Sequence, residues 1–288
     1  MSCVILDGKK VASLIKQELK ENIANILKNN PSIRVPKLTI YTDGQDESSK
    51  VYLRNKKKAC EEVGISCDIV NIGTTTASRG FLVIDTDGAI LQLPVKNKEK
   101  EQYFLDCTSR IQDVDGLTLL NQAHLFGNTK FKYSHIPCTP KGIMKLLDYY
   151  NIDLEGKNVL IIGRSNLVGK PLAMLMLHRN ATVTIAHSKT NYRDLSFKLS
   201  EADIVVSAVG KANFIQPNEL KKGCILIDVG INRDPFTGKL CGDVANPNNE
   251  LDTVCSYRTP VPGGVGPMTV AMLLENTYDA WLMNNNLK

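Results

Sequence analysis

The segment Val159–Pro171 constrains the fold more than any other part of the chain. It opens with the apolar run Val159–Ile162, which is typical of a buried parallel strand. Gly163 then predicts a tight turn, and a helical pattern follows from about Gly169. A strand, a glycine turn and a helix together place unpaired backbone N–H groups against a phosphate. We therefore predict a phosphate-binding turn within an α/β domain.

The turn departs from the common Gly-x-Gly-x-x-Gly spacing, because Ser165 stands where the second glycine would be. A glycine turn alone is a weak sign of nucleotide binding, but the pattern that follows strengthens it. Apolar strands are predicted at 181–186, 202–208 and 224–229, separated by helical or polar segments. Strands alternating with crossovers predict a doubly wound parallel sheet with its ligand at the carboxyl ends of the strands.

The end of the second predicted strand indicates which dinucleotide is bound. NAD-binding domains usually carry an acidic residue there, whereas this chain continues with His187-Ser-Lys-Thr190. A hydroxyl and a lysine at this point, with Arg164 in the glycine turn, suit the 2′-phosphate of NADP. The alternative interpretation is a solvated basic loop without a ligand.

Composition excludes several classes of protein. A chain of 288 residues is long enough for two domains, and its net charge of +5 is spread too evenly to indicate nucleic-acid binding. Its eight cysteines form no Cys-x-x-Cys pair and its four histidines no His-x-x-x-His pair, so we expect free thiols and no metal site. Charged residues within the first ten positions argue against a signal peptide, and no apolar run is long enough for a membrane span. We expect a cytoplasmic protein.

One lysine lies on the apolar face of a predicted helix. The helix runs from about Ser49 to Val63, and at 100° per residue Lys56 lies about 40° from Tyr52 on the face meant for the core. In one interpretation the lysine extends its methylenes along that face and its ammonium reaches solvent. In the other it is a partly desolvated lysine that takes part in acid–base chemistry.

Two further polar features are candidates for a site. Gln92 is the polar residue of the apolar strand predicted at 89–93, and Asp113-Val-Asp-Gly116 predicts a tight acidic turn. That turn is either structural, using Gly116, or holds a carboxylate rigidly at a cleft. Thr139 is predicted to be the N-cap of the next helix. Three glycines and three prolines within 259–268 predict a stiff loop rather than a regular element.

Taken together, these motifs resemble the bifunctional methylenetetrahydrofolate dehydrogenase/methenyltetrahydrofolate cyclohydrolase family along nearly the whole chain. The matching runs are Val51–Cys60, Gln92–Pro94, Asp113–Gly116, Pro137–Gly142, Gly163–Pro171, Asp228–Asn232, Gly242–Val244 and Thr259–Thr269. The resemblance implies an α/β fold of two domains. One is a folate-binding catalytic domain, 1–140, completed by the C-terminal helix 267–288, and the other is an NADP-binding Rossmann domain, 141–266. It also implies a homodimer.

The resemblance implies a role for each candidate on the folate side. Lys56 would be the catalytic lysine, with Gln92 hydrogen-bonded to it. Asp115 would hold the pterin ring through its N–H groups and complete the catalytic set. Tyr52 would stack on the folate.

On the cofactor side, the resemblance implies that Gly163, Ser165 and Ile231 line the dinucleotide. Arg164 and Ser188 would meet the 2′-phosphate. Substrate binding would also involve two residues of the glycine-proline loop, Pro262 and Gly263.

The implied reaction oxidises 5,10-methylenetetrahydrofolate with NADP⁺ and then hydrolyses the methenyl product to 10-formyltetrahydrofolate. The chain differs from the usual family pattern on the folate side, with Gln112 in place of a lysine, Val95-Lys96 in place of a second Leu-Pro, and a short stretch between Gly64 and Asp87. Two alternatives therefore stay open: a monofunctional dehydrogenase, and a catalytically silent protein that binds NADP or folate.

Overall fold

The computed structural model describes residues 3–43, 47–72, 85–93, 95, 98–128, 134–234 and 237–287, with the backbone alone at 47–52, 98 and 100. The strands are β1 Val4–Ile5, β2 Lys37–Thr42, β3 Ser66–Asn71, β4 Gly88–Leu91, β5 Asn158–Ile162, β6 Thr182–Ala186, β7 Ile204–Ser207, β8 Ile225–Asp228, β9 Asn232–Arg233, β10 Leu240–Cys241 and β11 Tyr257–Arg258. The helices are α1 Gly8–Asn29, α2 Glu47–Val63, α3 Lys98–Cys107, α4 Leu119–Phe126, α5 Cys138–Tyr149, α6 Gly169–Leu177, α7 Tyr192–Glu201, α8 Leu251–Val254 and α9 Val265–Asn284.

The chain forms two compact units. The first unit comprises Met1–Ala12 and Thr139–Thr269, and the second comprises Ser13–Cys138 and Val270–Lys288. Helices α1, α5 and α9 each cross a boundary between the units along the chain.

The first unit is built on a six-stranded sheet in the order β1-β11-β8-β7-β5-β6, and all of its strand pairs are parallel. Its inner strands β5, β7 and β8 are mostly apolar and buried, as is typical of a parallel sheet with both faces covered. One face packs against α7 and α8 through a core that includes Leu160, Val205, Leu226, Leu199 and Leu251. Since the strands are parallel, all their carboxyl ends lie along one edge, and loops from different strands meet there.

The second unit contains a three-stranded parallel sheet in the order β3-β2-β4. Tyr41 at the end of β2 packs against Phe104 of α3, with ring centroids 5.4 Å apart. In the last part of α9, Trp281 is fully buried and donates from Nε1 to the Arg34 carbonyl at 2.9 Å. One fully buried indole stabilises the unit by several kcal/mol, on the order of what a Trp→Ala cavity costs.

Most predicted elements are present, and their ends differ by a few residues. The helix predicted from 97 to 111 ends at Cys107, and Thr139 is not an N-cap, because α5 begins at Cys138. The Thr139 hydroxyl instead hydrogen-bonds the Thr269 hydroxyl at 2.9 Å. A strand predicted at 81–84 lies outside the described residues.

The glycine-proline segment was predicted to be a loop as far as Met268, and that prediction is wrong at its end. Helix α9 begins at Val265, so Pro267 lies in its first turn. The first N–H groups of a helix have no partner within the helix, so a proline there loses no hydrogen bond.

Among the described residues, no helix combines the length and the apolarity that crossing a membrane requires.

Candidate functional site

A direct hydrogen bond joins the inward lysine to the polar residue of the apolar strand. Lys56 on α2 donates from Nζ to Oε1 of Gln92 at 2.9 Å. Gln92 comes immediately after β4, where its backbone N–H donates to the Tyr41 carbonyl at 2.8 Å. Its side-chain Nε2 donates to the Leu93 carbonyl at 2.9 Å, so the amide oxygen is left to face the lysine. The ammonium is therefore held inside the second unit, not simply extended into solvent.

The acidic turn 113–116 is held rigidly from both sides. The Asp113 carboxylate accepts from the Thr118 backbone N–H at 2.7 Å and from Asn121 Nδ2 at 2.8 Å. Gly116 has φ +68°, and a Cβ there would lie 2.7 Å from the Pro137 nitrogen. Asp113 is thus the structural carboxylate of this turn, and Asp115 is left available for another role.

The Asp115 carboxyl lies within the electrostatic reach of the lysine. Burial raises its pKa above the ordinary value, the nearby Lys56 charge opposes this rise, and Asp113 adds to it. The thiol and the backbone N–H of Cys138, which lie beside the carboxyl, also lower its pKa. The second unit therefore places Lys56 in a hydrogen bond with Gln92 and within electrostatic reach of Asp115.

Helix α9 supports this arrangement through a residue that the sequence pattern did not single out. Asn276 is buried and donates from Nδ2 to the carbonyls of Val114 and Ile136, at 2.8 Å and 3.0 Å. It thereby ties the residue before Asp115 to the segment that leads into α5. A polar residue on the buried face of a helix was the signal that could have identified it.

Two other residues on the folate side, Tyr52 and Gln112, were singled out from the sequence. Tyr52 lies in α2 one turn before Lys56, but its side chain is outside the described residues. Gln112, which stands in place of the family's lysine, donates from Nε2 to the Thr86 carbonyl at 3.2 Å and so contributes to packing around β4.

The predicted glycine turn follows β5, and its two glycines allow a very close approach. Gly163 has φ +134°, and a Cβ there would lie 2.6 Å from the Ala208 carbonyl oxygen. A Cβ on Gly169, at the start of α6, would lie 2.1 Å from the Gly163 carbonyl oxygen. Between them Arg164 and Ser165 are exposed, and the Ser165 hydroxyl accepts from the Val168 N–H at 3.1 Å. The turn thus presents N–H groups and a guanidinium beside the N-terminus of α6.

The other predicted cofactor residues lie at the same edge of the sheet. Ser188 is exposed in the turn after β6, where the His187 N–H donates to the Thr190 hydroxyl at 2.9 Å. Ile231 follows β8 and is 49% exposed. Gly163, Ser188 and Ile231 thus follow three parallel strands of one sheet and share its carboxyl edge.

Pro262 and Gly263 belong to the loop between β11 and α9, in the first unit. Gly263 has φ +113°, and its carbonyl accepts from the Lys9 N–H at 2.9 Å. Gly264 is packed so closely that a Cβ would lie 2.7 Å from the Pro260 carbonyl oxygen. The loop is therefore stiff, as predicted.

Among the residues that the structure describes, no group of three or more His, Cys, Asp or Glu side chains could hold a metal ion. The described cysteines are all free thiols.

These two units define a class of enzyme: one has the parallel sheet and glycine turn of a dinucleotide-binding domain, and the other has a partly buried lysine, amide and carboxylate. Comparison with known proteins identifies the family. Residues 6–115 match the family model "Tetrahydrofolate dehydrogenase/cyclohydrolase, catalytic domain", and residues 137–285 match its NAD(P)-binding domain. The chain belongs to the tetrahydrofolate dehydrogenase/cyclohydrolase family, and its prediction from the motifs is confirmed.

Relatives match along almost the whole length. The bifunctional protein FolD of Streptococcus pyogenes (serotype M5) is 41% identical over 98% of this chain and 99% of its own. The crystal structure of the bifunctional FolD enzyme of Campylobacter jejuni has 39% identity and a TM-score of 0.86, covering 98% of this chain and all of that one. The Trypanosoma brucei enzyme, solved with NADP cofactor and an inhibitor, has 30% identity and a TM-score of 0.86, covering 99% of both chains.

Proposed function

We propose that this protein oxidises 5,10-methylenetetrahydrofolate with NADP⁺ and hydrolyses the resulting 5,10-methenyltetrahydrofolate to 10-formyltetrahydrofolate. The observation that supports it most directly is the 2.9 Å hydrogen bond from Lys56 to Gln92, with the Asp115 carboxyl inside the electrostatic reach of the lysine. The second unit, with the family's catalytic-domain match, is the folate-binding part. The first unit, with the NAD(P)-binding match, is the cofactor-binding part.

Lys56 is the acid–base group of the hydrolytic step. Water adds to the methenyl carbon and must lose a proton as the new C–O bond forms. An amine can take that proton if it is neutral and near the water. Gln92 accepts a hydrogen bond from Nζ and so orients the amine.

Asp115 recognises the pterin ring. Its carboxylate is an acceptor for ring N–H groups and lies beside the thiol and the backbone N–H of Cys138. A charged hydrogen bond of this kind contributes about 1.5–3 kcal/mol to binding. Tyr52, one turn before Lys56 on α2, stacks on the folate, and Pro262 and Gly263 shape the substrate side of the stiff loop.

The first unit fits NADP. Bound there, NADP⁺ would supply the acceptor for the hydride that leaves the methylene carbon. The Gly163 turn and the N-terminus of α6 hold the pyrophosphate with backbone N–H groups. Arg164 and Ser188 contact the 2′-phosphate, Ser165 stiffens the turn, and the exposed Ile231 packs on the cofactor.

A paired assay tests this function. The protein is supplied with methylenetetrahydrofolate and either NADP⁺ or NAD⁺, and separately with methenyltetrahydrofolate and no nucleotide. We expect reduction of NADP⁺ in the first assay and methenyl hydrolysis in the second. Oxidation without hydrolysis would favour the monofunctional dehydrogenase, and the absence of both would favour the silent binding protein.

We also propose a cytoplasmic homodimer that binds neither nucleic acid nor membranes. Strand β6 is at the end of its sheet, and Ile185 on this strand is 37% exposed. On the neighbouring α7, Tyr192 and Phe197 are each 68% exposed. An open strand edge next to exposed aromatic side chains is suited to pairing with a second copy of the chain.

Sedimentation velocity tests the dimer. We expect a dimer for the parent and a monomer for Phe197→Arg. Phe126→Arg is the control, because Phe126 is 75% exposed on α4 of the other unit. A parent that sediments as a monomer would contradict the proposal, and dissociation by Phe126→Arg alone would move the interface to α4.

A further inference from the structure

Two motifs of the chain, Asp228-Val-Gly-Ile-Asn232 and Gly242-Asp-Val244, contain aspartates that have no role in the function described so far. Each contains a buried carboxylate: Asp228 is 5% exposed and Asp243 is fully buried. Asp228 is the last residue of β8, and Asp243 follows β10. Buried carboxylates are costly unless hydrogen bonds compensate for the lost water, so their partners indicate what they hold.

Asp228 binds the backbone of both motifs. Its Oδ1 accepts from the N–H groups of Gly230 at 2.9 Å and Asp243 at 3.0 Å, and its Oδ2 accepts from Val244 N–H at 2.9 Å. This approach needs a glycine, because a Cβ on Gly242 would lie 1.9 Å from the Asp228 Oδ2.

Asp243 makes the reciprocal contact with the first motif. A Cβ on Gly230 would lie 2.2 Å from the Asp243 Oδ1, so the carboxylate of each motif lies against the glycine of the other. The Asp243 Oδ1 also accepts from Asn232 Nδ2 at 2.9 Å. Gly230 and Asn232, the two neighbours of Ile231, are therefore fixed by the two carboxylates.

Asp243 also forms hydrogen bonds with the loop after β7. Its carboxylate accepts hydrogen bonds from the Ser207 hydroxyl at 3.1 Å and from the backbone N–H groups of Val209 at 2.7 Å, Gly210 at 3.2 Å and Lys211 at 3.0 Å. Together with Asn232 this makes five donors to one side chain. One carboxylate thus joins the loop after β7 to the loop after β8 at the carboxyl edge of the sheet.

We propose that Asp243 is a positioning residue for the dinucleotide: it fixes Ile231 and the 207–211 loop at the cofactor edge of the sheet, and Asp228 holds Asp243 in place. The proposal rests on the assignment of that edge to NADP. Asp243 need not touch the cofactor. It acts by fixing the backbone segments that contact the cofactor.

An acceptor-only side chain is essential in this arrangement. Asn has nearly the same shape as Asp, but its Nδ2 is a donor and would face N–H groups that are themselves donors. Asp243→Asn therefore displaces one of the two loops without creating a cavity. Asn232→Ala removes a single donor and leaves the carboxylate paired with the four others.

The test compares NADP⁺ affinity with a reaction that needs no nucleotide. We expect Asp243→Asn to raise the NADP⁺ Kd by about tenfold or more, and Asn232→Ala by a smaller factor of about three. Methenyl hydrolysis, assayed without nucleotide, should stay within about twofold of the parent for both variants. Dehydrogenation should show the loss in the KM for NADP⁺ more than in the KM for folate.

Asp203→Asn is the matched control. Asp203 also accepts a backbone hydrogen bond, from Asn158 N–H at 2.9 Å, but it precedes β7 and lies at the opposite edge of the sheet. It should leave the NADP⁺ Kd unchanged, even if the unfolding temperature falls.

Three results would overturn the positioning role: a parental NADP⁺ Kd in Asp243→Asn, an equal loss of affinity in Asp203→Asn, or a parallel loss of methenyl hydrolysis. If Asp243→Asn does not fold, a parental Kd in Asn232→Ala overturns the proposal, and a raised Kd supports it. A parent that binds no NADP⁺ would overturn the proposed function itself. That outcome is distinct from one in which the parent and the variants bind NADP⁺ equally well, which would overturn only the positioning role.

Discussion

Asp115 and Asp113 are two residues apart, but their carboxylates do different work. The Asp113 carboxylate accepts hydrogen bonds from Thr118 and Asn121 inside its own turn. The Asp115 carboxyl instead lies beside Cys138. The sequence pattern left open whether this acidic turn is structural or functional. In the structure, Asp113 stabilises the turn, and Asp115 is the candidate for substrate binding.

Asp115→Ala should raise the KM for methylenetetrahydrofolate by roughly tenfold or more, because it removes a charged acceptor that contributes about 1.5–3 kcal/mol. The NADP⁺ Kd, measured by direct titration, should not change. Asp113→Asn is the comparison, and it should mainly lower the unfolding temperature. If Asp115→Ala lowers stability as much as Asp113→Asn and leaves the folate KM unchanged, Asp115 is a structural residue.

Arg164 is the residue that should distinguish the two nicotinamide cofactors. It is exposed in the glycine turn, so its guanidinium is free to meet a 2′-phosphate. Arg164→Ala should weaken NADP⁺ binding about tenfold or more and barely affect NAD⁺. Lys222→Ala removes an exposed charge near the start of β8, at the opposite edge, and should affect neither. Equal weakening of both cofactors by Arg164→Ala would contradict the 2′-phosphate contact.

At the scale of elements, the connection between β5 and α6 depends on how closely Gly169 approaches Gly163. Gly169→Ala places a Cβ within 2.1 Å of the Gly163 carbonyl oxygen, so the turn or the helix must move. Overpacking of this kind costs about 1–3 kcal/mol. We expect a lower unfolding temperature and a weaker NADP⁺ Kd. Leu177→Ala, at the exposed end of the same helix, should change neither by much, and parental NADP⁺ binding in Gly169→Ala would contradict this account.

The end of β8 should make stability depend on pH. Burial raises the pKa of Asp228 to about 6; the N–H groups of Asp243 and Val244 oppose this, and the Asp243 charge adds to it. Because the folded-state pKa is above the unfolded value, the protonated carboxyl contributes stability at low pH. That contribution is lost as pH rises from about 4 through about 6, and it amounts to about 3 kcal/mol.

Denaturant unfolding of the parent and of Asp228→Asn, at pH 4.5 and pH 7.5, measures this effect. Asn cannot ionise, so the difference in unfolding free energy between parent and variant should shift in favour of the variant at the higher pH. A difference that is the same at both pH values would show that Asp228 does not titrate between them.

Periodicity in the sequence predicts these elements well and their tertiary partners poorly. The apolar runs of β5 to β8 stand out because both faces of a parallel sheet are covered. The start of α9 was missed because Gly266 and Pro267 oppose a helix in general, yet suit its first turn. Thr139 was misassigned because a threonine before a proline is typical of an N-cap, while here its hydroxyl is bonded to Thr269.

At the scale of the whole molecule, the candidate site combines residues far apart in sequence. Lys56 and Gln92 are 36 positions apart, and Asn276 reaches the 113–116 turn from 162 positions away. Helical geometry predicted that Lys56 points inward, but its partner came from the family resemblance. The paired carboxylates Asp228 and Asp243 were not predicted, because their function depends on loops that approach only after folding.

The most direct test of the account is Lys56→Met, followed by the absorbance of methenyltetrahydrofolate during oxidation of the methylene substrate. Methionine keeps the aliphatic length and removes the amine, so packing should survive. An acid–base group contributes about 10²–10⁴-fold, so methenyl hydrolysis should fall at least about a hundredfold while some NADP⁺ reduction persists. Lys57→Met, at the exposed neighbouring position, is the control and should behave like the parent. The methenyl species should accumulate in Lys56→Met alone; conversion to 10-formyltetrahydrofolate at the parental rate would contradict the acid–base role of Lys56.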